Sequence, residues 1–313
     1  MKKRFFSKPK KKNRVKRIFL LLLFVWSIYL TYQYLDSKNL NIDQKEFVEI
    51  LLSQNEENTI LKKLINILFP TKKEAIKTLI KANYHGLVQD EKTSSTIKEP
   101  NQNQQQEKSP LIYIYNSHQS EEYTPSSFVE YSVMPTVQMN NYILEEKFEE
   151  KNYSTIVEEK SIKEVLNQHG WNYAGSYQAS RVFLEEAKKN YPTLKYFIDV
   201  HRDSLSKDRT TITIENKSYA KILFLIGLEN PNYSENLAFT EKINQKIEEK
   251  YPGLSKGIYK KEGEGVNGVY NQDFSPFTIL VEMGGPENSI DEVLNTSLAF
   301  SECFLEVIAE YEL

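Results

Sequence analysis

A chain of 313 residues has room for one sizeable core plus accessories, and 40% hydrophobic with 27% charged residues is ordinary for a folded domain. The net charge of −3 hides a split: residues 1–17 hold ten Lys or Arg and no acid, which leaves about −13 on the other 296 and disfavours a nucleic-acid partner. The single cysteine, Cys303, excludes an intrachain disulfide and falls in an apolar helical pattern that suits a packed thiol.

Residues 18–35 are free of charge and rich in Leu, Ile, Phe, Val, Trp and Tyr. Eighteen residues, at about 1.5 Å rise against a hydrocarbon core of about 30 Å, is the lower edge of a membrane span. The basic flank before it predicts a cytoplasmic N-terminus with the rest outside, a single-pass membrane protein. No small-x-small cleavage signal follows, and Tyr29, Tyr32 and Tyr34 suit an interface, so the expectation is an uncleaved transmembrane helix. Over residues 36–84, Phe47, Ile50 and Leu51 and then Ile60, Leu64, Ile65, Ile67 and Leu68 recur at helical spacing as far as Pro70; Ala75, Ile76, Leu79 and Ile80 resume it. This predicts a small juxtamembrane helical region, either a spacer or a surface for another protein. Residues 85–108 are polar and Gln/Asn-rich and read as a flexible linker. There is no internal repeat.

The last part, residues 109–313, alternates strand and helix signals. A strand that starts at Leu111 and ends abruptly at His118 is followed by a loop and a helix at 139–151, a short strand at 153–157, a helical turn at 162–166, a helix at 177–189 stopped by Pro192, and a strand at 194–200. Two strands, 211–215 and 217–226, flank a turn at Asn216; a helix covers 237–251, residues 258–270 read as an irregular Gly-rich rim, and a strand at 277–281 and a helix at 290–308 close the domain. The pattern predicts an α/β fold with a mostly parallel central sheet of five or six strands flanked by helices.

Three of these strands end in residues that can bind metal or move protons: His118 follows the first, His201 the second, and Glu282 the third. Such ends are where open α/β sheets build their sites. Catalytic zinc takes three nitrogen or oxygen donors and keeps a position for water. His118 and His201 are the natural nitrogen ligands, and Glu121, three residues after His118, is near enough to join them, with Glu122 as the alternative. Glu282, from another strand, suits a base that takes a proton from water and passes it to a leaving nitrogen. Asp199 is a candidate to orient a ligating imidazole, and Arg202 and Arg209 are candidates to hold a substrate carboxylate. Singly, each residue has a blander reading as a surface or hydrogen-bonded side chain; it is their delivery by separate strands that favours a site. There is no G-x-S-x-G elbow, no phosphate-loop companion to Gly284, and no histidine beside Cys303.

The runs NSHQSEEY, GSYQASR, FIDVHRDS, YAKILFLIG, YPGLSKG, GVNGVYNQD and ILVEMGGPENSIDEV, in order over residues 111–313, resemble the stage II sporulation protein P family. The resemblance implies an amidase-like fold and a membrane-anchored, zinc-dependent N-acetylmuramoyl-L-alanine amidase that degrades septal peptidoglycan during engulfment, with cutting of peptide cross-links as a further activity. It implies, as partners, the sporulation lytic transglycosylase protein D and the membrane protein M. By motif, His118 and His201 match the metal-binding histidines, Glu121 the glutamate of an H-x-x-E-S-Y pattern, and Glu282 the catalytic glutamate of V-E-x-G. Two positions depart from the family pattern: Glu122 stands where the family has Ser, and Asn116 where it has a histidine. The expected N-terminal anchor fits the family layout, while the region between it and Pro110 carries no resemblance. A wall-binding protein without catalysis, and a stem-peptide endopeptidase, are the competing readings.

Overall fold

The structure is a computed structural model that describes residues 43–55, 109–124 and 133–312, and Trp26 alone in the N-terminal stretch. One compact unit holds every described residue except Trp26. The basic flank, nearly all of the apolar run at 18–35, residues 56–84 and the linker at 85–108 lie outside the described residues.

Six strands form the main sheet: β1 (Ile112–Tyr115), β2 (Thr155–Val157), β3 (Tyr196–His201), β6 (Ile222–Gly227), β7 (Ser255–Lys261) and β8 (Thr278–Met283), in the order β2-β1-β3-β8-β6-β7. A hairpin of β4 (Thr211–Ile214) and β5 (Lys217–Ala220) stands apart. The helices are α1 (Gln44–Asn55), α2 (Val137–Glu150), α3 (Ile162–His169), α4 (Ser176–Asn190), the short α5 (Lys207–Thr210), α6 (Tyr233–Lys250) and α7 (Ile290–Glu312).

β1 and β3 are buried at every position, which is why they read as unbroken apolar runs: a central parallel strand is covered on both faces. Their alternation still sorts the faces. Ile112, Ile114, Ile198, Val200, Ile279 and Val281 join Phe224, Phe239, Phe300 and Phe304 in one core. Tyr113, Tyr115 and Phe197 meet Leu184, Ala187 and Leu194 on the other. Cys303 is a fully buried free thiol in the first core, and burial pushes its pKa up to about 12, as expected for a packing residue.

The sheet is mixed: four of its five strand pairings are parallel, and a single antiparallel pairing departs from the expected pattern. β2, β1, β3 and β8 are parallel neighbours, but β6 runs antiparallel to β8, and β7 follows β6. The cause lies in the run at 217–226. It breaks at Lys221, whose N–H donates to the Thr210 carbonyl and whose carbonyl accepts from Gly284 N–H, so the chain leaves the hairpin and enters the main sheet reversed. Residues 255–261, part of which had the composition of a rim, form the edge strand β7. Gly257, at φ +90°, lies where the β6–β7 register shifts, and lysines line this edge as they line many.

Among the described residues no helix is long and apolar enough to cross a membrane. The longest, α7, has 23 residues but carries Asp291, Glu292, Glu302, Glu306, Glu310 and Glu312. The expected transmembrane helix and single-pass topology therefore find no element to carry them among the described residues and are set aside. α1, from the region expected to be helical, packs on the domain: Phe47, Val48 and Leu51 are buried, and Lys45 lies 3.3 Å from Glu145 of α2.

Candidate metal centre

The C-terminal ends of β1, β3 and β8 lie side by side. Tyr115 is in register with Asp199, and His201 with Glu282. Side chains two apart on a strand share a face, so Asp199 and His201 project together and Glu282 rises beside His201. Beyond β1, residues 116–121 turn back over this end, and the Glu121 N–H donates to the His118 carbonyl at 3.2 Å.

That turn brings His118, Glu121 and His201 into one group, with a donor atom of each within 4.8 Å of the others. Both imidazoles aim Nδ1 at the Glu121 carboxylate: His118 at Oε1 and His201 at Oε2, each at 3.5 Å. This is beyond the usual N–H···O range of about 2.7–3.2 Å. It does match the spacing of ligands around a tetrahedral ion, about 3.3–3.5 Å for bonds of about 2.0–2.2 Å.

The surroundings fix each donor. His201 is 4% exposed, and its Nε2 lies 3.0 Å from Asp199 Oδ1 and 2.9 Å from Ser117 Oγ, which leaves Nδ1 for the shared centre. Asp199 in turn accepts from the N–H and hydroxyl of Ser117, at 2.9 and 2.8 Å. A carboxylate behind a ligating imidazole is the common supporting arrangement at metal sites. The His118 ring stacks on Tyr173 at 4.9 Å, packs against Tyr177 at 5.4 Å, and meets the His201 ring edge-on at 4.9 Å. The Arg202 N–H donates to Glu121 Oε2 at 2.9 Å.

The electrostatics call for positive charge. Burial alone would raise the Glu121 pKa, but the close approach of the His118 and His201 imidazoles, the His201 charge and the hydrogen bond from the Arg202 N–H take it down to about 2. Burial alone would lower that of His201; Asp199 and Glu121 raise it well above the usual imidazole value. Glu282 goes the other way. Burial pushes it up to about 7, with Asp203 and Glu121 adding to the rise against His201 and Lys261. One carboxylate is thus set to stay ionised at the donors, while its neighbour is set to gain and lose a proton near neutrality.

The other expected residues are placed as follows. Glu122 is exposed; its backbone bridges to Thr136, and its carbonyl accepts from Arg202 Nε at 3.1 Å. It is not in the donor group. Arg202 spends Nε on that carbonyl and another guanidinium nitrogen on the Asp203 carbonyl at 3.2 Å. Arg209 is exposed on α5. Asn116 exchanges amide hydrogen bonds with Asn141 and donates to the Val200 carbonyl at 2.6 Å, so it braces the strand that ends in His201.

Two features escaped sequence reasoning. Ser117, between Asn116 and His118, orients Asp199 and contacts His201; its only signal was adjacency to a candidate ligand. Asp203 accepts from Lys256 Nζ at 2.6 Å across 53 residues of sequence, a pairing no local pattern announces. Gly284, at φ +71°, ends β8, and a Cβ there would meet Asn288 Oδ1 and the Ala220 Cβ at 2.8 Å.

The sequence matches the family described as Stage II sporulation protein P over residues 37–305, a span that reaches well before Pro110 and takes in α1. Stage II sporulation protein P of Bacillus subtilis (strain 168) is 34% identical over 209 residues, 64% of this chain and 52% of the relative. The chain thus spans about half the length of that relative. Among solved structures, the CwlD amidase from Clostridioides difficile in complex with the GerS lipoprotein aligns with TM-score 0.43 and 9% identity, over 64% of this chain and 98% of that one. The N-acetylmuramoyl-L-alanine amidase AmiC2 of Nostoc punctiforme aligns with TM-score 0.38 and 10% identity, over 64% and 97%. At such distances these structures say nothing about the site, whose chemistry rests on the residues described above. The span of the family match decides the assignment, and the chain belongs to the Stage II sporulation protein P family.

Proposed function

We propose that this chain is a zinc-dependent hydrolase of peptidoglycan that cleaves the amide between N-acetylmuramic acid and L-alanine. The observation that carries the reading is the convergence of His118, Glu121 and His201 within 4.8 Å, beside a separate carboxylate, Glu282, whose pKa lies at about 7. The donor set is two imidazoles and one carboxylate, the kind catalytic zinc accepts while leaving a place for water. A zinc ion held there supplies Lewis acidity toward water and toward the scissile carbonyl.

The chain's own residues supply the rest. Asp199 and Ser117 hold the His201 ring with Nδ1 toward the donors, and Tyr173 and Tyr177 hold His118. Glu282 takes a proton from the attacking water as its oxygen bonds to the carbonyl carbon, and returns that proton to the amide nitrogen as the C–N bond breaks. The water ends as one oxygen and one proton of the new carboxylic acid, with its other proton on the freed amine.

The test is zinc content and muropeptide digestion by the full chain, native and with His201→Ala. Stoichiometric zinc and release of intact stem peptides from glycan, both lost in the variant, support the reading. Cleavage inside the stem peptide would make it an endopeptidase; neither zinc nor cleavage would leave a wall-binding protein. The lytic transglycosylase protein D and the membrane protein M stand as proposed partners on the family resemblance, to be tested by co-purification.

A further inference from the structure

α2 is linked, directly or through one intervening side chain, to each of the three segments that build the site. Its first N–H, at Val137, donates to the Glu121 carbonyl at 3.0 Å. Asn141 pairs with Asn116, which holds the Val200 carbonyl next to His201. Asn140 Nδ2 donates to the Tyr123 hydroxyl at 2.9 Å, and that hydroxyl donates to the carbonyl of Met283, next to Glu282, at 2.8 Å. All these partners but Glu121 are buried, so few alternative arrangements are open to them.

The start of α2 is itself held from outside the domain's continuous chain. Thr136 is its N-cap, the Pro135 carbonyl accepts from Tyr123 N–H at 2.8 Å, and Glu122 bridges to Thr136. Gln44, the first residue of α1, accepts from the Thr136 hydroxyl at 2.7 Å and makes a longer contact, 3.4 Å, to the Met134 carbonyl. Phe47, Val48 and Leu51 anchor α1 by their burial, and Lys45 reaches Glu145 and the Tyr142 ring of α2. α1 lies outside the strand-and-helix alternation, so nothing in the sheet requires it.

We propose that α1 is a built-in brace of the metal centre: docked on α2, it uses Gln44 to hold residues 133–137, and through their backbone bonds it positions the Glu121 carboxylate for the ion. This rests on the metal-hydrolase reading for its consequence, though not for its geometry. Gln44 is a positioning residue, since it touches neither donor nor substrate.

The experiment is a zinc-affinity titration against a competing chelator, with amide hydrogen exchange on the metal-free full chain. Gln44→Ala should weaken zinc binding about tenfold, the low end for loss of a supporting contact. Gln44→Glu keeps the acceptor for Thr136 and should stay close to the native affinity. Leu51→Asp should undock α1 and speed exchange at the amides of Tyr123 and Val137, while β1 and β3 keep their protection. If Leu51→Asp exposes residues 44–55 yet leaves zinc affinity and those two amides at native values, the brace is overturned. If the native chain binds no zinc, the metal reading has failed, and the exchange at Tyr123 and Val137 alone decides whether α1 supports the loop.

Discussion

His201 and Glu282 are register partners on the parallel neighbours β3 and β8, so an imidazole and a carboxylate rise side by side from one face of the sheet. They nevertheless fall into different roles. His201 shares the centre with Glu121, whereas Glu282 stays outside that donor group and keeps a pKa of about 7. Neighbouring titratable groups whose surroundings push them apart are a mark of divided acid–base labour.

Replacing Glu282 by Gln should therefore separate binding from chemistry. The amide fills nearly the same volume and removes no donor of the metal group. Zinc content should stay near native, and hydrolysis of muropeptides should fall by about 10²–10⁴-fold, the usual contribution of a positioned base. Loss of zinc in this variant would make Glu282 a ligand and undo the assignment.

The same residue predicts how the metal-free protein responds to pH. A carboxyl raised from its usual 4.5 to about 7 binds its proton more tightly folded than unfolded. Ionising it in the folded state costs free energy, so stability falls as pH climbs from about 4.5 through about 7 and levels off above. The limiting cost is about 3 kcal/mol for a rise from 4.5 to about 7. Glu282→Gln should remove that loss, and denaturant unfolding of both proteins at pH 5 and pH 8.5, with chelator present, would show the curves converging at the acid end.

Asp199→Asn tests the support behind His201. The native carboxylate accepts from Ser117 twice and lies against His201 Nε2, contacts an amide cannot all reproduce with a single oxygen. Zinc affinity should drop by about 10–100-fold with the donors themselves intact. A chelator titration that leaves the variant indistinguishable from the native chain would remove Asp199 from the site.

The sequence made the site's frame readable because β1, β3 and β8 are buried on both faces and end abruptly in polar residues. It concealed whatever depends on distant partners. Lys221 looks like one residue inside an apolar run, yet its backbone bonds to Thr210 and Gly284 turn that run into two strands in two sheets. β7 was masked by Gly257 and its lysines, which suit an edge but score as loop. Glu121 and Glu122 could not be separated because the segment after β1 has no period; what separates them is the bridge between Glu122 and Thr136, which comes from a residue well down the chain.

Asp203 and Lys256 offer a test in which two substitutions act with opposite signs. After burial, the Asp203 charge is the largest influence holding the Glu282 pKa up, and Asp203 is itself paired with Lys256 at 2.6 Å. Asp203→Asn removes a negative charge and uncovers the ammonium, so both changes favour the ionised carboxylate and the titration midpoint should move below about 7, toward the usual range. Lys256→Met uncovers the Asp203 carboxylate and should move the midpoint up. The reading is a carboxyl carbon NMR titration of Glu282 in the metal-free protein. Shifts of the same sign in both variants would mean that Glu282 feels a general change in packing and not the charge of Asp203.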